Sequence, residues 1–215
     1  MKIELFYSPV TCAMAPYINL TEANAEFKVH ALNFRAAEHL SAEYRKINPK
    51  HKVPMLVVDG ERLTETAAIH LWIARAFPEA KLMPEDPIGQ AQAISLLSWV
   101  SGGIHPYLSR INAPLRVCDI EGTGENVVEH AAQYLYEAFA LADKILEDND
   151  YLMGDYTAPD AYFFWAVRRY TQFKLDLNRF PNIAAYYARM QTRSSVKRLM
   201  EFQKETIEEF KRAVR

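Results

Sequence analysis

Cysteine is scarce: Cys12 and Cys118 are the only two in 215 residues, which excludes the disulfide framework of a small secreted fold. Excess charge of either sign is also missing. With 25 Lys and Arg against 27 Asp and Glu, the net charge is −2, so no basic surface for nucleic acid is expected. No apolar stretch reaches the roughly 18 residues of a membrane span, because charges or prolines interrupt every candidate. The start MKIELFYSPV lacks a long apolar run ending at a cleavage site, and the expectation is a cytoplasmic, reduced protein. Only 7 glycines occur, and there is no internal repeat or low-complexity tract. What is present, 50% hydrophobic and 12% aromatic residues, suffices for one large core or two modest ones.

Two regions of different character follow from the patterning. Residues 3–7 and 27–34 are apolar runs with β-branched and aromatic content and read as strands. Between them 14–25 suits a helix, giving a β-α-β unit. Residues 41–47 offer one or two helical turns, 53–59 is an apolar strand, and Asp59-Gly60 suits a tight hairpin into 61–64. A largely buried helix is expected over 65–77, stopped by Pro78. The segment 79–87, rich in proline and charge, reads as a linker. Beyond it 88–115, 124–148, 158–172, 181–192 and 194–213 carry apolar residues at spacings of three and four, the pattern of helices. The expected fold class is therefore α/β plus all-α, with a domain over 1–78 and an all-helical domain over 88–215.

Three local features carry chemistry. Cys12 lies after the first strand, near a helix start, where free N–H groups and the helix dipole favour a thiolate. The position that would resolve a mixed disulfide in a C-x-x-C motif is Ala15, so an external thiol would be required; a buried structural cysteine is the alternative. Val53-Pro54 opens the third strand and is compatible with a cis bond, which would leave the Val53 N–H and C=O to pair with an extended ligand; an ordinary trans proline on an edge strand is the alternative. Glu65 and Thr66 stand at a helix start, suited to the amine and carboxylate of an amino-acid head group, or merely to capping by Thr64. Cys118 has no charged cluster around it and receives no role, and no metal site is expected.

Taken together, Tyr7-Ser8-Pro-x-x-Cys12-x-x-Ala-Pro16, Asn48-Pro-Lys-His51-Lys52-Val53-Pro54, Leu63-Thr-Glu65-Thr66-Ala-Ala-Ile and a proline-rich linker before a helical region resemble a cytosolic glutathione S-transferase. The start is most similar to the bacterial beta class. The resemblance implies a thioredoxin-like N-terminal domain, a glutathione-transferase-type helical C-terminal domain, a homodimer, and glutathione as co-substrate with a small apolar electrophile or a mixed disulfide. It makes Cys12 the residue at the glutathione sulfur, Val53 the partner of the cysteinyl backbone, Glu65 and Thr66 the γ-glutamyl site, and His51 with Lys52 candidates for the glycine end. His105, in Trp99-Val-Ser-Gly-Gly-Ile-His105-Pro106, resembles the beta-class histidine of the helical domain; Ser8 and Tyr7 are secondary catalytic candidates. The chain departs from the beta pattern in having His51-Lys52 before Val-Pro, and no lysine follows the second strand, though Arg35 is near.

Transfer of glutathione needs its thiol as a thiolate, which helix N–H groups, a Cys or Ser hydrogen bond, or a nearby His⁺ would stabilise. A low-pKa Cys12 beside glutathione would favour thiol-disulfide exchange alongside conjugation. Pro106 should kink its helix, and Tyr107, Leu108, Ile111, Tyr162 and Trp165 are candidates for the electrophile pocket or, equally, for core. Thr157 and Asp160 read as a capping box, and 201–215 as an amphipathic helix covering the core. The rival reading is a non-enzymatic protein of the same fold that carries ligands or binds a protein partner.

Overall fold

The computed structural model describes residues 1–213, which group into two compact units, 1–82 together with 192–213, and 83–191. The first unit begins with β1 (Ile3–Tyr7), α1 (Met14–Glu22), β2 (Lys28–Ala31), α2 (Ala42–Ile47), β3 (Met55–Val58), β4 (Glu61–Thr64) and α3 (Thr66–Ala76). The sheet order is β2-β1-β3-β4, with β1 parallel to β2 and antiparallel to β3, and β3 antiparallel to β4. A helical crossover between the parallel pair and a tight turn between β3 and β4 are what those directions require. Asp59 and Gly60 supply that turn, both with positive φ (49° and 94°), the backbone of a two-residue hairpin. Leu5 sits between Val29 and Leu56 in register, and β1 is buried along nearly its whole length, so the core runs through the central strand.

Every residue of α1 from Met14 to Leu20 is buried. The other helices of the unit bury one face. In α3, Thr66, Ile69, His70 and Ile73 are buried while Leu71 and Trp72 are half-exposed, less burial than the apolar composition suggests.

The second unit is helical: α4 (Pro87–Trp99), α5 (His105–Asn112), α6 (Gly124–Ile145), α7 (Ala158–Gln172) and α8 (Pro181–Thr192). The helix α7 is its centre, buried continuously from Ala158 to Val167. Its start is fixed by Asp160, fully buried, which accepts hydrogen bonds from the Thr157 N–H at 2.8 Å and the Leu152 N–H at 2.9 Å. Between α4 and α5 the chain takes one π-helical turn, Val100–Ile104, and Pro106 stands at the second position of α5, where its missing N–H costs little. The expected break at Pro106 is thus absorbed one turn earlier. Gly103 is required there: a Cβ would lie 2.7 Å from the Trp99 ring.

The last helix, α9 (Ser194–Ala213), groups with the first unit and packs on α1. Arg193 Nε and Nη2 each donate to Glu22 at 2.8 Å, and the Ser195 hydroxyl donates to the same carboxylate. This bidentate pair, largely buried, locks the start of α9 onto the end of α1. Val214 and Arg215, which the amphipathic-helix expectation included, lie outside the described residues.

Candidate functional site

The Cys12 segment is a turn rather than a helix start. Thr11 Oγ1 donates to the Ser8 carbonyl at 2.7 Å, and the Met14 and Ala15 N–H groups bond back to Thr11 and Cys12. The first helical residue is Met14. Val10 has φ of 69°, an outlying conformation for a β-branched residue, and it is tied to the C-terminal helix: its N–H donates to Gln203 Oε1 at 2.9 Å. The Tyr7 hydroxyl donates to the same oxygen at 3.2 Å, and the Tyr7 ring packs edge-on to Phe202. Tyr7 is fully buried and Ser8 is 2% exposed. Tyr7 therefore faces the interior and anchors α9.

Cys12 is itself only 6% exposed. Its thiol donates to the Val53 carbonyl at 3.6 Å. Burial pushes its pKa up to about 12, against a hydrogen bond with Thr66, its own backbone N–H and the charge of Lys52, which act to lower it. The expectation of a low-pKa thiolate does not hold: desolvation outweighs the weak helix-start field.

The facing edge is assembled from three segments. The Val53-Pro54 bond is cis. The loop before it is held by side chains, since Lys52 O accepts from Tyr44 Oη at 2.7 Å and Asn48 Nδ2 at 2.8 Å. Val53 lies just ahead of β3 with its carbonyl on Cys12, and its N–H has no partner among the described residues. Across the hairpin, Glu65 precedes α3 with φ of 72° and ψ of 122°, a conformation that costs of order 1–3 kcal/mol in a residue bearing a Cβ. That backbone holds its carboxylate in solvent, 67% exposed, while Thr66 turns inward, 7% exposed, to the sulfur. Lys50 lies in the loop ahead of β3, outside the β3–β4 register, and reaches Glu65 through its side chain. Lys50 Nζ donates to Glu65 Oε1 at 2.5 Å and to Thr64 Oγ1 at 2.9 Å. Lys50 had no sequence signal of its own; only the folded loop before β3 reveals it. His51 is half-buried with positive φ, and Lys52 is exposed.

One compact unit thus presents a buried thiol, an unpaired backbone edge beside a cis-proline, and a strained acidic residue at a helix start. Residues 1–75 match the family model described as glutathione S-transferase, N-terminal domain, and residues 103–194 match that for the C-terminal domain. The chain belongs to the glutathione S-transferase family. The transferase is 29% identical to a glutathione S-transferase of Escherichia coli O157:H7, covering 90% of this chain and 95% of that one. Among solved structures, it is similar to a beta class glutathione S-transferase of Sphingomonas chungbukensis, with 29% identity, TM-score 0.81 and coverage of 93% and 98%. It is also similar to a sphingomonad glutathione S-transferase complexed with glutathione, with 27% identity, TM-score 0.84 and the same coverages. The transferase has the thioredoxin-like sheet domain and helical domain of that family.

In the helical unit of the transferase, His105 is half-buried, its Nδ1 2.7 Å from Tyr162 Oη and its ring 4.3 Å from that of Trp165. Of the residues considered for the electrophile pocket, Leu108, Tyr162 and Trp165 are core, 1–4% exposed. Tyr107 is stacked on Tyr134 at 4.6 Å under Arg110, and Ile111 is half-buried. Cys118 is half-exposed, and hydrogen bonds from Thr123 and the Ile120 backbone lower its pKa. No helix among the described residues is long and apolar enough to cross a membrane.

Proposed function

We propose that the first unit binds glutathione as an extended tripeptide along the Val53 edge and activates its thiol beside Cys12. The observation that carries the reading is the convergence of Cys12, Val53 and Thr66 on one point. The Val53 N–H is available to the cysteinyl backbone, and the first N–H groups of α3 with the Thr66 hydroxyl face a carboxylate. Glu65 receives the α-amine, replacing its bond to Lys50. His51 and Lys52 supply positive charge for the glycine end. The solved sphingomonad relative complexed with glutathione supports glutathione as the ligand.

The protonation of Cys12 decides its role. A neutral thiol is a donor, so Cys12 turns its S–H from the Val53 carbonyl to the incoming sulfur and favours its thiolate by hydrogen bonding to the charged form. That thiolate forms a bond to an electrophilic carbon, the leaving group departs with the bonding pair, and the thiol proton goes to solvent. Thiol-disulfide exchange through Cys12 is the narrower proposal. It requires the Cys12 proton to be lost on docking of a glutathione mixed disulfide, after which Cys12 S⁻ forms one S–S bond and expels the other thiolate. The Thr66 bond and Lys52 charge push in that direction. For His105, whose Nδ1 is hydrogen-bonded with Tyr162 Oη, we infer an acid–base part from the family resemblance. We also place the chain in the beta class, as a cytoplasmic homodimer; the unpaired cysteines and the exposed apolar pair Tyr134 and Leu141, seven apart on α6, support that reading.

Glutathione titration calorimetry and the pH profile of 1-chloro-2,4-dinitrobenzene conjugation test the assignment. Thr66→Ala is expected to weaken glutathione binding by about tenfold, the loss of one hydrogen bond to a charged group. Cys12→Ala is expected to shift the rate profile to higher pH and abolish turnover of a glutathione mixed disulfide. An unshifted profile overturns the donor role, and retained exchange in Cys12→Ala overturns the nucleophile role.

A further inference from the structure

The turn ahead of Cys12 carries an ill-suited residue at the third of its four positions. Ser8-Pro9-Val10-Thr11 closes with a bond from the Thr11 N–H to the Ser8 carbonyl at 3.3 Å, and Val10 has φ of 69°. Proline at the second position with positive φ at the third is a type II turn, whose central peptide is flipped relative to type I and whose third position suits glycine or asparagine. Valine, branched at Cβ, is crowded by its own backbone there. A type I turn keeps the same closing bond with φ of about −90° at that position, and Pro9 accepts either form. The four residues by themselves therefore favour type I, and the flip is selected from the far end of the chain. The N–H of the flipped peptide is that of Val10, and it donates to Gln203 Oε1 at 2.9 Å; in type I it would point to the opposite side. Gln203 is 3% exposed on α9, with buried Leu199 and Thr206 one turn to either side. The Tyr7 hydroxyl donates to the same oxygen at 3.2 Å, and Tyr7 is fixed in the sheet opposite Ala31. Phe202 stacks on Tyr17 of α1 with centroids 5.3 Å apart, which seats this part of α9 beside the turn.

We propose that Gln203 is a positioning residue for Cys12: by fixing the Pro9-Val10 peptide in its flipped form, it holds the turn that sets the Cys12 thiol against the Val53 carbonyl. The path from α9 to the sulfur is short. Thr11 bonds back to the Ser8 carbonyl through both its N–H and, at 2.7 Å, its hydroxyl, and that hydroxyl accepts from the Ala13 N–H at 3.3 Å. Cys12 stands between Thr11 and Ala13, with its thiol 3.6 Å from the Val53 carbonyl. Without Gln203 the turn exchanges between its two forms and the thiol loses a single fixed position, which matters because rates fall steeply when a reacting group is misplaced by an ångström. The part played in turnover rests on the glutathione reading above. On that reading Cys12 donates to the glutathione sulfur, so Gln203 acts on the rate and on the pH dependence, and not on the tripeptide contacts of Val53, Glu65 and Thr66.

A double-variant cycle on the full chain tests the route. Gln203→Leu keeps the approximate size of the side chain and removes the acceptor. It is expected to lower kcat for conjugation of 1-chloro-2,4-dinitrobenzene about tenfold and to move the pH profile upward, as for a misplaced donor. The KM for glutathione should change by less than about twofold, because the ground-state contacts remain. Val10→Gly removes the crowding that opposes the flipped form. In that background the same Gln203→Leu change should cost less than about twofold in kcat. The double variant still lacks the acceptor for Tyr7 and Val10, so the drop in Tm on Gln203→Leu should persist in both backgrounds. Rate restored without stability is the signature of positioning. An unchanged kcat in Gln203→Leu, or an equal loss of kcat in the two backgrounds, overturns the proposal. Should circular dichroism show Gln203→Leu unfolded, Gln203→Asn, which draws the acceptor back by one methylene, takes its place in the same cycle. Glutathione calorimetry on the wild type separates the two readings: with neither binding nor conjugation the glutathione reading fails, and iodoacetamide labelling of Cys12 then reads the cycle without glutathione. Faster labelling on Gln203→Leu that Val10→Gly suppresses supports the hold of Gln203 on the thiol; labelling without that pattern overturns it.

Discussion

The two cysteines stand in opposite surroundings. Cys12 lies in a turn next to a helix and is nearly buried, with its pKa pushed up to about 12 by desolvation. Cys118, in a loop with no helix start to help it, is half-exposed, and two hydrogen bonds lower its pKa. Position relative to a helix therefore does not rank these thiols; access to water does, because removing a thiolate from water costs more than a partial dipole charge returns. On these surroundings Cys118, not Cys12, is expected to be the more reactive thiol.

Alkylation with iodoacetamide at neutral pH, read by peptide mass spectrometry, gives that contrast its largest expected effect. Cys118 should label at least about a hundredfold faster than Cys12, because the thiolate is the nucleophile and its fraction falls tenfold per unit of pKa. Faster labelling of Cys12 in the free chain would break the comparison.

A second buried group sharpens the point. His70 is fully buried, its Nδ1 2.8 Å from the Asn19 amide, and burial pushes its pKa down to about 3. The unfolded chain protonates this histidine near 6.5 while the native chain does not, so stability falls as pH falls through that window, by about 1.4 kcal/mol per unit. Between pH 6 and 4.5 the loss is about 2 kcal/mol. Glu4, held down to about 2 by Lys2 and then His30, contributes its own loss only below its ordinary range of 4.5. Denaturant melts of wild type and His70→Gln across that interval check the assignment; equal slopes would remove His70 as the cause.

Gln203 tests what keeps the Cys12 turn closed. Gln203→Leu removes the acceptor shared by Val10 and Tyr7, at an expected cost of about 1–3 kcal/mol for disturbed buried polar groups. If α9 holds the turn, Cys12 labelling should rise in this variant while Cys118 labelling stays the same. An unchanged Cys12 rate would show that the turn is set by its own Ser8 and Thr11 bonds.

These cases mark what the sequence makes legible. The β-α-β start, the Asp59-Gly60 hairpin and the helical second half rest on local patterns, and local backbone preference delivers them. The burial of Cys12 is not local. It arises from Val53, 41 residues away, and Thr66 closing over the sulfur, and no spacing rule reports that. Gln203 reaches Val10 across 193 residues, and an amphipathic helix pattern says only that one face is buried, not on which partner. Lys50 lies in the Asn48–Pro54 segment, but its pairing with Glu65 depends on how that loop folds back to the start of α3.

The smallest effect comes from the helical unit, at a motif that looks functional. Gly154-Asp-Tyr-Thr157-Ala-Pro-Asp160 concentrates polar residues before a helix, yet its polar atoms are engaged in holding the backbone. Asp160 binds the N–H groups of Thr157 and Leu152 and the Thr157 hydroxyl at 3.1 Å, while its carbonyl accepts from Tyr186 Oη at 2.6 Å. Thr157→Ala keeps the backbone donor and loses the hydroxyl, so it should cost roughly 0.5–2 kcal/mol and leave both cysteine labelling rates and glutathione affinity unchanged. Urea melts give the first quantity and calorimetry the last. Weakened glutathione binding at unchanged stability would mean that this cap acts on ligand, and the division between a structural motif in one unit and a chemical one in the other would fail.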